Sequence, residues 1–99
     1  MSKYRRAAKV DKNQSEIVRA LRAIPGVTVQ PGMDDILVGR NGRTWWFEIK
    51  EPEAVSKKTG QVISSELKPG QKNLLRDWQG HYQVVWTLDQ ILDAIMGVR

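Results

Sequence analysis

The chain has 99 residues, 40% hydrophobic and 27% charged, with 16 Lys plus Arg against 11 Asp plus Glu for a formal net charge of +5. That length holds one modest core. The absence of cysteine excludes disulfides and thiolate zinc sites, and no apolar run reaches the roughly 20 residues of a membrane span. The basic N-terminus lacks the apolar stretch of a secretory signal, so a cytoplasmic setting is expected, and the basic surplus points to a polyanionic partner.

Lys3, Arg5, Arg6, Lys9 and Lys12 stand against Asp11 alone, which makes residues 1–12 a basic arm. Such an arm is either solvated and flexible or grips phosphates. A single domain over residues 13–99 follows. From Asn13 a helical pattern puts Ile17, Ala20, Leu21 and Ile24 on one stripe. Asn13 can cap this helix while Glu16, three residues on, completes a capping box, and Pro25-Gly26 ends it. Val27 to Gln30 reads as a short strand and Pro31-Gly32 as a turn.

Asp35–Gly39 and Thr44–Lys50 read as two strands joined at Asn41-Gly42, a strong hairpin signal because both turn residues tolerate positive φ. A two-residue loop pairs Arg40 with Arg43, Val38 with Trp45, Leu37 with Trp46, and Asp35 with Glu48. Alternation then gathers Asp35, Leu37, Trp46, Glu48 and Lys50 on one face. The other face carries Asp34, Ile36, Val38, Trp45, Phe47 and Ile49. Both are largely apolar, as expected of a sheet covered on two sides.

Residues 51–68 make a long connection, within which Val55-Ser56 and Val62-Ile63 can pair around Thr59-Gly60. Pro69 opens a helix to about Gln79 with Leu74, Leu75 and Trp78 as its apolar stripe. Tyr82–Trp86 is a strand, and Thr87 with Gln90 begins a last helix through about Met96. The order α-β-β-β-α-β-α describes an α/β sandwich.

Asp35 facing Glu48 is the feature that carries chemistry. Two like charges about 4 Å apart repel by about 4 kcal/mol at an effective dielectric near 20. A hard divalent cation, Mg²⁺ or Mn²⁺, reverses that sign and suits phosphodiester hydrolysis. Lys50 follows on the same face about 7 Å along the strand, within reach of a nucleophilic water or a developing negative charge. On a structural reading, Glu48 and Lys50 form a same-face ion pair and Asp35 is a turn residue. Glu16 is either a capping residue or a further ligand, direct or through water. Asp34 falls on the opposite face by parity, which favours Asp35 unless a bulge intervenes. Lys68, Gln71, Lys72 and Arg76 mark the start and one side of the later helix, a natural phosphate dock. Lys57 and Lys58 either touch DNA from the loop or are simply exposed. The tryptophans read as core, with Trp46 the one sharing the face of the site. A single histidine, His81, excludes paired-histidine catalysis.

Gly32-Met33-Asp34-Asp35-Ile36-Leu37-Val38, Phe47-Glu48-Ile49-Lys50 and Leu67-Lys68-Pro69-Gly70-Gln71 together resemble the VRR-NUC branch of the PD-(D/E)XK nucleases, over roughly residues 14–96. The resemblance implies a restriction-endonuclease-like α-β-β-β-α-β core, with a mixed sheet flanked by helices. It also implies a Mg²⁺- or Mn²⁺-dependent DNA endonuclease. Asp35, Glu48 and Lys50 match the motif residues, Glu16 the first-helix glutamate and Gln71 the helix-opening glutamine. Ile49 would lend its carbonyl to the metal, and the family's proline stands here as Asp34. Small stand-alone members occur in bacteriophages and resemble Holliday-junction resolvases, which implies a homodimer acting on branched DNA. Lys57, Lys58, Lys68 and Lys72 would contact that DNA. A noncatalytic DNA-binding module of the same fold, or a nicking or fork nuclease, are the alternatives.

Overall fold

A computed structural model describes residues 13–97. The basic arm assigned to residues 1–12 lies outside them. Helix α1 covers residues 13–22, β1 Thr28–Pro31, β2 Asp35–Arg40 and β3 Arg43–Ile49. Two 3-10 turns, Pro52–Ala54 and Ser64–Glu66, lead to α2 (Pro69–Asp77), β4 (Tyr82–Val85) and α3 (Leu88–Met96). The strands form one sheet in the order β1-β2-β3-β4, antiparallel except for the parallel β3–β4 pair. This is an α/β fold with a four-stranded mixed sheet. The parallel pair needs a long crossover, and residues 51–81 with α2 provide it.

The β2–β3 hairpin turns on Asn41 and Gly42 at φ 54° and 77°, the left-handed pair that a two-residue loop requires. Its register sets Asp35 opposite Glu48, Leu37 opposite Trp46 and Arg40 opposite Arg43. Ile36, Val38, Trp45, Phe47 and Ile49 face α1 and α3, joining Ile17, Leu21, Ile91 and Ile95 in the core. Thr87 caps α3 as expected, its Oγ1 accepting from the Gln90 backbone N–H at 3.3 Å.

The opposite face of the sheet is only partly covered, contrary to the expectation of burial on both sides. There α2 spans nine residues and shields the Glu48 end, while Leu37 stays 43% exposed. Leu75 and Trp78, expected as an inward stripe with Leu74, are about half exposed as well. The helix stops at Asp77, where Trp78 turns to extended backbone (φ −69°, ψ 127°); its ring packs edge-to-face on Trp46 and stays half exposed. The connection is well tied. Val55 bridges Val62, the Ser56 N–H donates to Gln61 O at 2.8 Å, and Ser56 Oγ accepts from the N–H groups of Lys58 and Thr59. No helix among the described residues is long and apolar enough to cross a membrane.

Candidate functional site

Glu48 is the best-buried acid among the described residues, 3% exposed in the middle of the sheet. Its Oε2 accepts from Gln71 Nε2 at 2.8 Å, and its Oε1 accepts from the Tyr82 hydroxyl at 3.2 Å. Gln71 is buried too (8% exposed) and is held from behind, its Oε1 accepting the Lys68 N–H at 3.0 Å. One side chain thus closes the first turn of α2 and orients the carboxylate. The parallel register Trp46↔Tyr82 and Glu48↔Val84 puts Tyr82 on the Glu48 face.

Burial, and then the negative charge of Asp34, push the Glu48 carboxyl from 4.5 up to about 7; Lys50 and the Tyr82 hydroxyl oppose this, and Asp35 adds a smaller upward push. Burial and the adjacent Glu48 likewise raise the Tyr82 hydroxyl above its usual range. A carboxyl whose folded pKa exceeds its unfolded one holds its proton more tightly when folded. The stability contributed by this group is therefore present at low pH and is lost as pH rises from about 4.5 through about 7. A cation that replaces the proton removes this cost.

Asp35 Oδ2 accepts from Trp46 Nε1 at 3.0 Å. Its other oxygen lies over Gly32, where a Cβ would overlap it, so any side chain at that position would push the Asp35 carboxylate aside. Asp34 sits in a bend just before β2, its carbonyl accepting the Ile49 N–H at 2.9 Å, and its Oδ2 lies 3.9 Å from Lys68 Nζ at the start of α2, on the Glu48 side of the sheet. This corrects the placement of Asp34 on the far face. Its carboxylate shares a cleft of about 260 Å³ with Lys50, Glu51, Glu53 and Glu66, and Ile49 also lines it. Lys50 is fixed by its backbone: its N–H donates to Val85 O and its carbonyl accepts from Asn13 Nδ2, both at 2.9 Å.

Asn13 therefore does not cap α1. It lies within the helix and ties it to the ends of β3 and, at 3.5 Å, β4. The residue that α1 turns inward is Gln14, 7% exposed, whose Nε2 donates to Gly32 O at 3.1 Å. Glu16 is exposed. The stripe Gln14, Ile17, Val18, Leu21 fills the inner face of the helix, which leaves position 16 outside it. Among the described residues no three acidic, histidine or cysteine side chains gather as a metal-holding group.

The residues present nonetheless suit a hard cation. Glu48, with Asp35 or Asp34, supplies two carboxylates and Ile49 a carbonyl, and Mg²⁺ commonly uses one or two carboxylates with water completing its shell. Burial is the main cause of the upward push on Glu48, and a cation beside it would act in the same sense as Lys50, lowering it. Lys68 Nζ lies 3.9 Å from Asp34 Oδ2 at the rim, an exposed pair worth little in energy. Lys57, Lys58 and Lys72 are exposed, while Arg76 is engaged by Asp77 at 2.8 Å and by Asn73. Tyr82, Asn13 and Gln14 were not evident from the sequence. Tyr82 alone had a usable signal, strand alternation, and that required the β3–β4 register.

Comparison of the chain with protein-family models, with curated proteins and with solved structures found no match.

Proposed function

We propose that this chain is a Mg²⁺- or Mn²⁺-dependent DNA endonuclease of the restriction-endonuclease-like fold, acting on branched DNA as a homodimer. The observation that carries the reading is Glu48, a buried acid held by Gln71 and Tyr82, opposite Asp35 and two residues before Lys50. Glu48 with Asp35, assisted by Asp34 and the Ile49 carbonyl, would hold the cation. When bound, the cation supplies Lewis-acid polarisation of the phosphodiester. Gln71 and Tyr82 keep both Glu48 oxygens aimed, so little reorientation is needed as substrate arrives. Lys50 lends its ammonium to the negative charge that develops on the phosphate. Exposed Lys57, Lys58 and Lys72, with Lys68 at the rim, give the DNA backbone its counter-charges, so affinity drops steeply with salt.

The resemblance to VRR-NUC nucleases and the formal charge of +5 support the same substrate class. Symmetric cleavage of a four-way junction needs two sites, which is the reason for a dimer. The test is cleavage of linear duplex, flap, fork and four-way junction, with and without metal. Cuts in the branched substrates only with Mg²⁺ or Mn²⁺ are expected. DNA binding with no cleavage of any member would favour a noncatalytic module, and single-strand cuts in fork or flap alone would favour a nicking or fork nuclease.

A further inference from the structure

Beside the candidate site lies a cleft of about 430 Å³, lined by Pro31, Gly32, Asp35, Leu37, Trp46 and Trp78 among others. We infer that this cleft receives an unpaired nucleobase of the DNA strand being cut. The inference rests on the nuclease reading and specifies its substrate: DNA with an unstacked base next to the scissile phosphate.

The volume is within the range of about 300–1,000 Å³ typical of small-molecule sites. Two of the lining side chains, Trp46 and Trp78, are aromatic and brace each other. Trp78 meets Trp46 edge-to-face at 5.2 Å, and Tyr82 meets the Trp46 ring at 4.9 Å. Trp78 is nonetheless 50% exposed, leaving a large ring surface for stacking. The lining also holds one carboxylate. Asp35 Oδ2 is satisfied by Trp46, while Oδ1 lies over Gly32 at the cleft. A plain apolar side chain seated here would strip water from that oxygen and offer no donor in return. A base brings a flat π-face for the tryptophan and ring-edge N–H groups for the carboxylate, as cytosine N4 and adenine N6 do.

Asp35 stands across the strand pair from Glu48, so the cleft adjoins the proposed phosphodiester site. A base stacked within intact duplex cannot enter. An unpaired base at a fork or flap can, so the cleft would favour DNA with single-stranded character beside the scissile phosphate.

The test uses Trp78→Ala in the full chain, with DNA binding measured in chelator so that no cleavage occurs. Its half-exposed position at a helix end lets the variant fold, which a melting curve checks. Trp78→Ala should weaken fork binding about tenfold while leaving duplex binding unchanged, and Trp78→Phe should restore most of it. One abasic nucleotide at the branch should cost the parent protein the same factor and cost Trp78→Ala nothing more. Equal affinity of Trp78→Ala and parent for the fork, or equal loss on fork and duplex, would overturn the inference. So would a concentration-dependent dimer that Trp78→Ala converts to monomer, which would make the cleft a contact between copies. Fork discrimination in chelator without cleavage in metal would count against the nuclease reading and leave the base cleft standing.

Discussion

Replacing Lys50 by alanine should give a folded protein that binds branched DNA like its parent and cuts it at least about 100-fold more slowly. The fold survives because Lys50 anchors the end of β3 through its backbone, to Val85 and to Asn13, and not through its side chain. The side chain is half-buried in the cleft with Asp34, and its charge is the largest influence drawing the Glu48 pKa down against burial. On the proposed mechanism alanine would remove a stabilising charge at the phosphate, and it should make Glu48 harder to ionise. Single-turnover cleavage at saturating protein, beside a binding curve, separates the two functions. Undiminished cleavage by purified Lys50→Ala would contradict the assignment.

Asp35→Asn should cost cleavage about 100-fold, and Asp34→Asn under about tenfold. Asp35 is fixed opposite Glu48 by the hairpin register, and Trp46 orients its carboxylate. Asp34 lies in the preceding bend and pairs at 3.9 Å with an exposed lysine. Its charge nevertheless weighs on Glu48 more than that of Asp35, so Asp34→Asn should also ease ionisation of Glu48 and shift the pH–rate profile to lower pH. The same single-turnover rates measured across pH rank the two variants. A reversed ranking would assign the cation to Asp34.

Much of the site was legible because one local signal has long-range consequences. Asn41-Gly42 fixes a two-residue loop, the loop fixes the register, and the register sets Asp35 opposite Glu48. The element order, the Thr87–Gln90 cap of α3 and the Val55–Val62 bridge were legible for the same local reason. What was not legible depended on how separate elements meet. The rotation of α1 that turns Gln14 inward and leaves Glu16 exposed is set by packing against β3 and β4 through Asn13. Tyr82 reaches Glu48 through a parallel register that no turn encodes. Strand parity misplaced Asp34 because the strand begins one residue later. Trp78 has the spacing of a core residue, and only the partial cover of this sheet face leaves it half exposed where it packs on Trp46.

Buried Glu48 should exchange its proton for a divalent cation. Calorimetric titration of the protein with Mn²⁺ at about pH 6 and about pH 8 tests it directly. With a carboxyl near 7, the cation should bind about tenfold more tightly at the higher pH, release close to one proton at the lower, and fail to bind Glu48→Gln at either. No binding at millimolar metal, or the same isotherm for parent and Glu48→Gln, would contradict it.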